Sequence, residues 1–161
     1  MKKLLVGLLV LGSFSSFGAE LRVNCSSQGE FVDYKKTIFG LKKIASNMKN
    51  VCPGIASSIR VNNDGSVFSA SCGYQASDSG YNYSINTRRL SSSEVEVIVA
   101  LSESNLYDSS SKVELHKTIL NTEHVGFTRA LETDVVAFKD SKRKFTKLEK
   151  IEVSCSIEGQ L

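Results

Sequence analysis

The chain has 161 residues, with 20 Lys+Arg against 17 Asp+Glu and a formal net charge of +3. Lys2 and Lys3 belong to a leader-like N-terminus, and without them 18 bases face 17 acids, about +1, so no global attraction to nucleic acid phosphates is expected. No cofactor fingerprint is present: G-x-x-x-x-G-K-[ST], G-x-G-x-x-G, G-x-S-x-G and H-E-x-x-H are all missing.

Residues 1–19 read as a secretory signal peptide. Lys2 and Lys3 precede the apolar run Leu4 to Leu11, which Gly7 interrupts, and a small, polar stretch follows to Ala19. The run is short of the ~20 apolar residues that a membrane-spanning helix needs. Cleavage is expected after Gly18 or Ala19. Arg22 and Asn24 ahead of Cys25 do not fit a lipoprotein signal. Residues 20–161 are then a single exported domain, periplasmic or secreted from a bacterium, with no transmembrane segment in the mature chain.

Four cysteines, Cys25, Cys52, Cys72 and Cys155, lie in that domain. An even count in an exported chain points to two disulfides, and three connectivities are possible. We expect Cys25–Cys155, joining the first strand to the last, and Cys52–Cys72, closing a short loop. Each would add about 2–4 kcal/mol. The absence of C-x-x-C argues against a thioredoxin-like redox role and a zinc ribbon.

In chain order, Leu21, Val23 and Cys25 alternate with polar residues and predict a short strand. From Phe31 to Val51 the apolar residues Tyr34, Ile38, Leu41, Ile44, Ala45 and Met48 recur at steps of three or four, with lysines 35, 36, 42, 43 and 49 between them. This spacing predicts an amphipathic helix with a basic outer face, ended by Asn50 and the Cys52-Pro53-Gly54 break. After it the period changes to two. Ile59 and Val61 lead into Asn62-Asn63-Asp64-Gly65, which predicts a hairpin turn returning along Val67 to Cys72. The alternating acids and distal glutamate of a calcium loop are missing there.

Tyr81, Tyr83 and Ile85, then Val95, Val97, Val99 and Leu101, predict two strands joined by Ser91-Ser92-Ser93. Further strands are expected at 113–119, 127–131, 135–138 and 148–157. The fold class is therefore α+β and mostly β: one N-terminal helix on a curved antiparallel sheet or partial barrel of about eight strands, held by two disulfides.

Both histidines fall between Val113 and His124. On a strand from Val113 to Ile119 the apolar Val113, Leu115 and Ile119 should face the core, leaving His116 on the solvent side; Glu123 and His124 should sit in the next turn. His116, Glu123 and His124 form a conceivable metal set without a recognised ligand spacing. Two S-x-x-K matches, at residues 46–49 and 141–144, lack the further elements of a serine hydrolase. No cofactor is expected.

Charge is more informative than motif. Residues 94–134 hold eight acids and three bases, whereas residues 139–150 hold six bases and two acids. Lys142, Arg143, Lys144 and Lys147 are the candidate binding residues, facing an anionic envelope polymer, lipid headgroups or an acidic protein. The competing interpretation is a solvated turn that protects the sheet from edge-to-edge aggregation. The expected function is an exported, non-enzymatic binding module for an envelope component, a small ligand or a protein partner, an enzyme to be inhibited among them. The alternatives are a small hydrolase or metal-dependent enzyme using the His116/His124 region, and a structural subunit that pairs through an edge strand.

Overall fold

A computed structural model describes residues 21–52, 58–76, 79–105, 108–109 and 113–159. The expected signal peptide and the Pro53-Gly54 break lie outside the described residues. Among the described residues there are ten strands: β1 (Arg22–Thr37), β2 (Gly40–Asn50), β3 (Ser58–Arg60), β4 (Phe68–Ala76), β5 (Ser79–Arg89), β6 (Val95–Asn105), β7 (Asp108–Ser109), β8 (Val113–Leu120), β9 (Gly126–Ser141) and β10 (Lys144–Glu158). All their pairings are antiparallel, as expected for strands joined by short connections.

The strands form two sheets. The first runs β2-β1-β10-β9, with β3 also on β1. The second joins β4, β5 and β6, and β6 pairs in addition with β7 and β8. Val23, Cys25, Phe31, Ile151, Val153 and Cys155 from the first sheet share one buried cluster with Tyr81, Tyr83, Ile85, Val95, Val97, Val99 and Leu101 from the second. The core therefore lies between two facing sheets, each contributing the alternate residues of its strands. This two-sheet arrangement replaces the expected single curved sheet.

The predicted helix at residues 31–51 is corrected. Among the described residues there is no helix, and this stretch is the second half of β1 and all of β2. Ile38 and Phe39 form a two-residue turn between the paired Thr37 and Gly40. Gly40 has φ 115°, a left-handed value that glycine adopts without a Cβ penalty. The Thr37 hydroxyl accepts from the Phe39 N–H at 3.2 Å and donates to the Gly40 carbonyl at 2.9 Å. Helical spacing of the apolar residues did not decide the structure, because no core face runs alongside β2 to reward it. Leu41, Ile44 and Met48 are all exposed.

Residues 62–65 do form a turn, in which Asp64 accepts from the Ser66 N–H at 2.9 Å and Gly65 has φ 76°. It is not a hairpin: β3 pairs with β1 and β4 with β5, so the turn carries the chain from one sheet to the other. The expected strands at 127–131 and 135–138 are one continuous β9. Both expected disulfides are present. Cys25 and Cys155 are directly opposed on β1 and β10, with Cα atoms 4.1 Å apart; Cys52 and Cys72 are 5.7 Å apart and tie the end of β2 to β4. Beside the second bridge, the Tyr81 hydroxyl donates to the Val51 carbonyl at 3.0 Å.

Candidate functional site

The histidine stretch folds differently from its sequence pattern. A bulge opposite Val99/Ala100 places Leu115 out of register, so that His116 pairs with Val99, Thr118 with Val97 and Leu120 with Val95. Directly opposed residues share a face, and that face is the core face. His116 is thus half-buried toward the interior, with its ring 5.0 Å from that of Phe127, while Val113 and Ile119 are exposed. Burial lowers the His116 pKa, the positive charge of Arg129 lowers it further, and Glu114 opposes both. His124 lies in a tight turn where its N–H and that of Glu123 donate to the Asn121 side chain at 2.8 and 2.9 Å. Among the described residues no group of three or more His, Cys, Asp or Glu is placed to hold a metal ion.

The acidic strand is also internally satisfied. Glu96 is only 5% exposed, and its carboxylate meets Lys117 at 2.6 Å and Arg88 at 2.9 Å. The hydrogen bond from Lys117 and the Arg88 charge hold the Glu96 pKa below the usual range against the opposing pull of desolvation. Ser46 and Ser141, the serines of the two S-x-x-K matches, have structural partners. Ser46 donates to Glu30 at 2.6 Å, and Ser141 accepts from the Arg143 and Lys144 N–H groups at 3.3 and 3.1 Å.

The basic loop is different. Lys142 and Arg143 make the two-residue turn between β9 and β10, and the Lys36 N–H donates to the Arg143 carbonyl at 2.7 Å. That bond brings the β9–β10 turn alongside the Ile38–Phe39 turn. One end of the first sheet therefore gathers Lys35, Lys36, Lys42 and Lys43 with Lys139, Lys142, Arg143 and Lys144, against Asp140 as the acid within those two segments. In register, Lys42 opposes Lys35 and Lys35 opposes Lys144. This is a row of three cations on neighbouring strands, about 5 Å from strand to strand.

On the adjoining register, Tyr34 stacks on Phe145 with centroids 5.7 Å apart. Lys147 lies 5.9 Å over the Tyr34 ring and is 2.5 Å from Asp134, so this member of the expected basic set is already partnered. The Tyr34 hydroxyl donates to Glu149, and that bond, with burial and the neighbouring negative charges, raises the phenol pKa. An open cleft of about 930 Å³ lies at this end, lined by Leu41, Val136 and Phe145 together with Lys36, Lys139 and Lys142.

The structure thus joins Lys142, Arg143 and Lys144 to a second basic turn that sequence reasoning assigned to a helix. Lys35, Lys36 and Lys42 were missed as site residues, and the exposed Ile38, Phe39 and Leu41 lie next to them without being part of the cation row. The signal that could have found them is the near-symmetric string Lys-Lys-Thr-Ile-Phe-Gly-Leu-Lys-Lys at 35–43, in which a glycine follows a two-residue centre. No family model matches the chain, and no curated protein or solved structure matches it either.

Proposed function

We propose that this chain is an exported, non-enzymatic binding module that meets an anionic partner with the basic end of its first sheet. The observation that carries this reading is the row Lys42–Lys35–Lys144. Like charges directly opposed across strands are destabilising, and threonine or another β-former would fit the same positions without that cost. Arg22 and Arg60 are also opposed, but Glu158 lies across from Arg22 on the other side, whereas the lysine row holds three cations in succession; such a local conflict marks a place where binding outranks stability. Glu96 supplies the contrast, since its charge is met by two cations. Two disulfides support an oxidising, extracytoplasmic location.

Retention of the mature protein on a heparin matrix under a salt gradient tests this reading. Lys142→Ala/Arg143→Ala/Lys144→Ala should elute at clearly lower salt than wild type, because each lost contact removes released counterions. Arg22→Ala/Arg60→Ala/Arg129→Ala, with the same loss of charge elsewhere, should shift much less. Equal shifts for the two variants would reduce the effect to net charge and sink the site.

A second reading, a subunit that adds an edge strand to a partner's sheet, has β2 in its favour: an 11-residue edge with ten exposed positions. Lys42, Lys43 and Lys49 on that strand disfavour pairing with a second copy.

A further inference from the structure

Resting on that reading, we infer that the anionic partner is a lipid bilayer surface and that the Ile38–Phe39 turn enters it. Ile38 and Phe39 are 93% and 94% exposed, at the two positions where a hairpin turn ordinarily carries Asn, Asp or Gly. Leu41 follows at 53% exposure on the same ribbon. A phosphate polymer or an acidic protein surface would reward the lysines and leave these apolar side chains in water.

The spacing suits a bilayer. Lys35 and Lys42 each lie three residues from the nearer turn residue, which at the rise of a strand is about 10 Å. That is the depth to which interfacial segments bury their apolar side chains, about 5–10 Å past the headgroups. With the apolar turn in the acyl boundary, the lysine row stands at the level of the lipid phosphates. Lys142 and Arg143, held beside the tip by the Lys36–Arg143 bond, reach the same layer. The neighbouring cleft repeats this chemistry, with Leu41, Val136 and Phe145 next to Lys36, Lys139 and Lys142. Among the described residues no helix is long and apolar enough to cross a membrane.

The chain contains no tryptophan, so Phe39→Trp places a single reporter at the tip. The mature variant is mixed with phosphatidylcholine vesicles, with and without phosphatidylglycerol. We expect a blue-shifted emission shielded from acrylamide with the anionic vesicles only, weakening as salt rises. Ile38→Ser/Phe39→Ser should lower co-sedimentation with the anionic vesicles by about tenfold or more while leaving heparin retention unchanged. Binding to anionic vesicles with no blue shift and no effect of the serines would overturn insertion and leave the basic-end reading standing. Heparin retention that depends on Lys142–Lys144 without any vesicle binding would assign the site to a soluble polyanion or an acidic protein. Loss of both would end both proposals.

Discussion

β1, β9 and β10 each run through two environments. In one half of the sheet, Val23, Cys25, Ile151, Val153 and Cys155 alternate into the core, and a disulfide crosses directly between opposed residues. In the other half, the same strands, now beside β2, end in two turns rich in lysine and exposed apolar side chains. The buried half gains about 25 cal/mol for each Å² of apolar surface removed from water. Toward the β1–β2 and β9–β10 turns that gain runs out past Phe31, Val32, Ala137 and Leu148, and cations stand opposite one another. One set of hydrogen-bonded ladders therefore carries stability at one end and the proposed binding surface at the other, and the first fixes the geometry of the second.

The largest effect should come from cutting the buried half loose. Cys25→Ala/Cys155→Ala removes a link between residues 130 apart and should cost about 2–5 kcal/mol in chemical denaturation. If the halves are as distinct as described, the surviving folded protein should still be retained on heparin at the wild-type salt concentration.

A smaller effect separates compensated from uncompensated charge. Glu96 has a depressed folded-state pKa, so its contribution is complete above the unfolded value of about 4.3 and is lost as pH falls through the folded value. Glu96→Gln should therefore be destabilised by about 1 kcal/mol near neutrality, and the gap to wild type should close in acid. A gap independent of pH would show that the ion contacts of Glu96 are not its stabilising role.

The smallest effect has the opposite sign. Lys35→Gln breaks the cation row at its centre and should stabilise the fold by about 0.2–1 kcal/mol at low salt, while weakening retention on heparin. Destabilisation by this change would remove the reason for assigning the row a binding role.

The buried half was legible because its strands write their environment into the sequence. Val95, Val97, Val99 and Leu101, like Ile151, Val153 and Cys155, face one core with polar residues between them, and period two follows. Both disulfides were readable from their place at strand and segment ends. The bare half writes no such period, because Leu41, Ile44 and Met48 have no core to face, and their spacing of three and four imitates a helix. His116 was misplaced for a different reason: a bulge at Leu115 reverses the facing of every later residue on β8, and no residue type announces it. Of the site, Lys142, Arg143 and Lys144 were visible as a run of like charge. Their neighbours Lys35 and Lys42 were not, since only the strand pairing brings these distant segments into one row.

The most direct test of the division between the two halves is amide hydrogen exchange on the mature protein, with and without phosphatidylglycerol-containing vesicles. Residues 35–43 and 141–147 should gain protection together on adding vesicles, while β5 and β6 keep the slow exchange they have alone. Protection that appears instead at residues 113–124, or nowhere, would contradict the account.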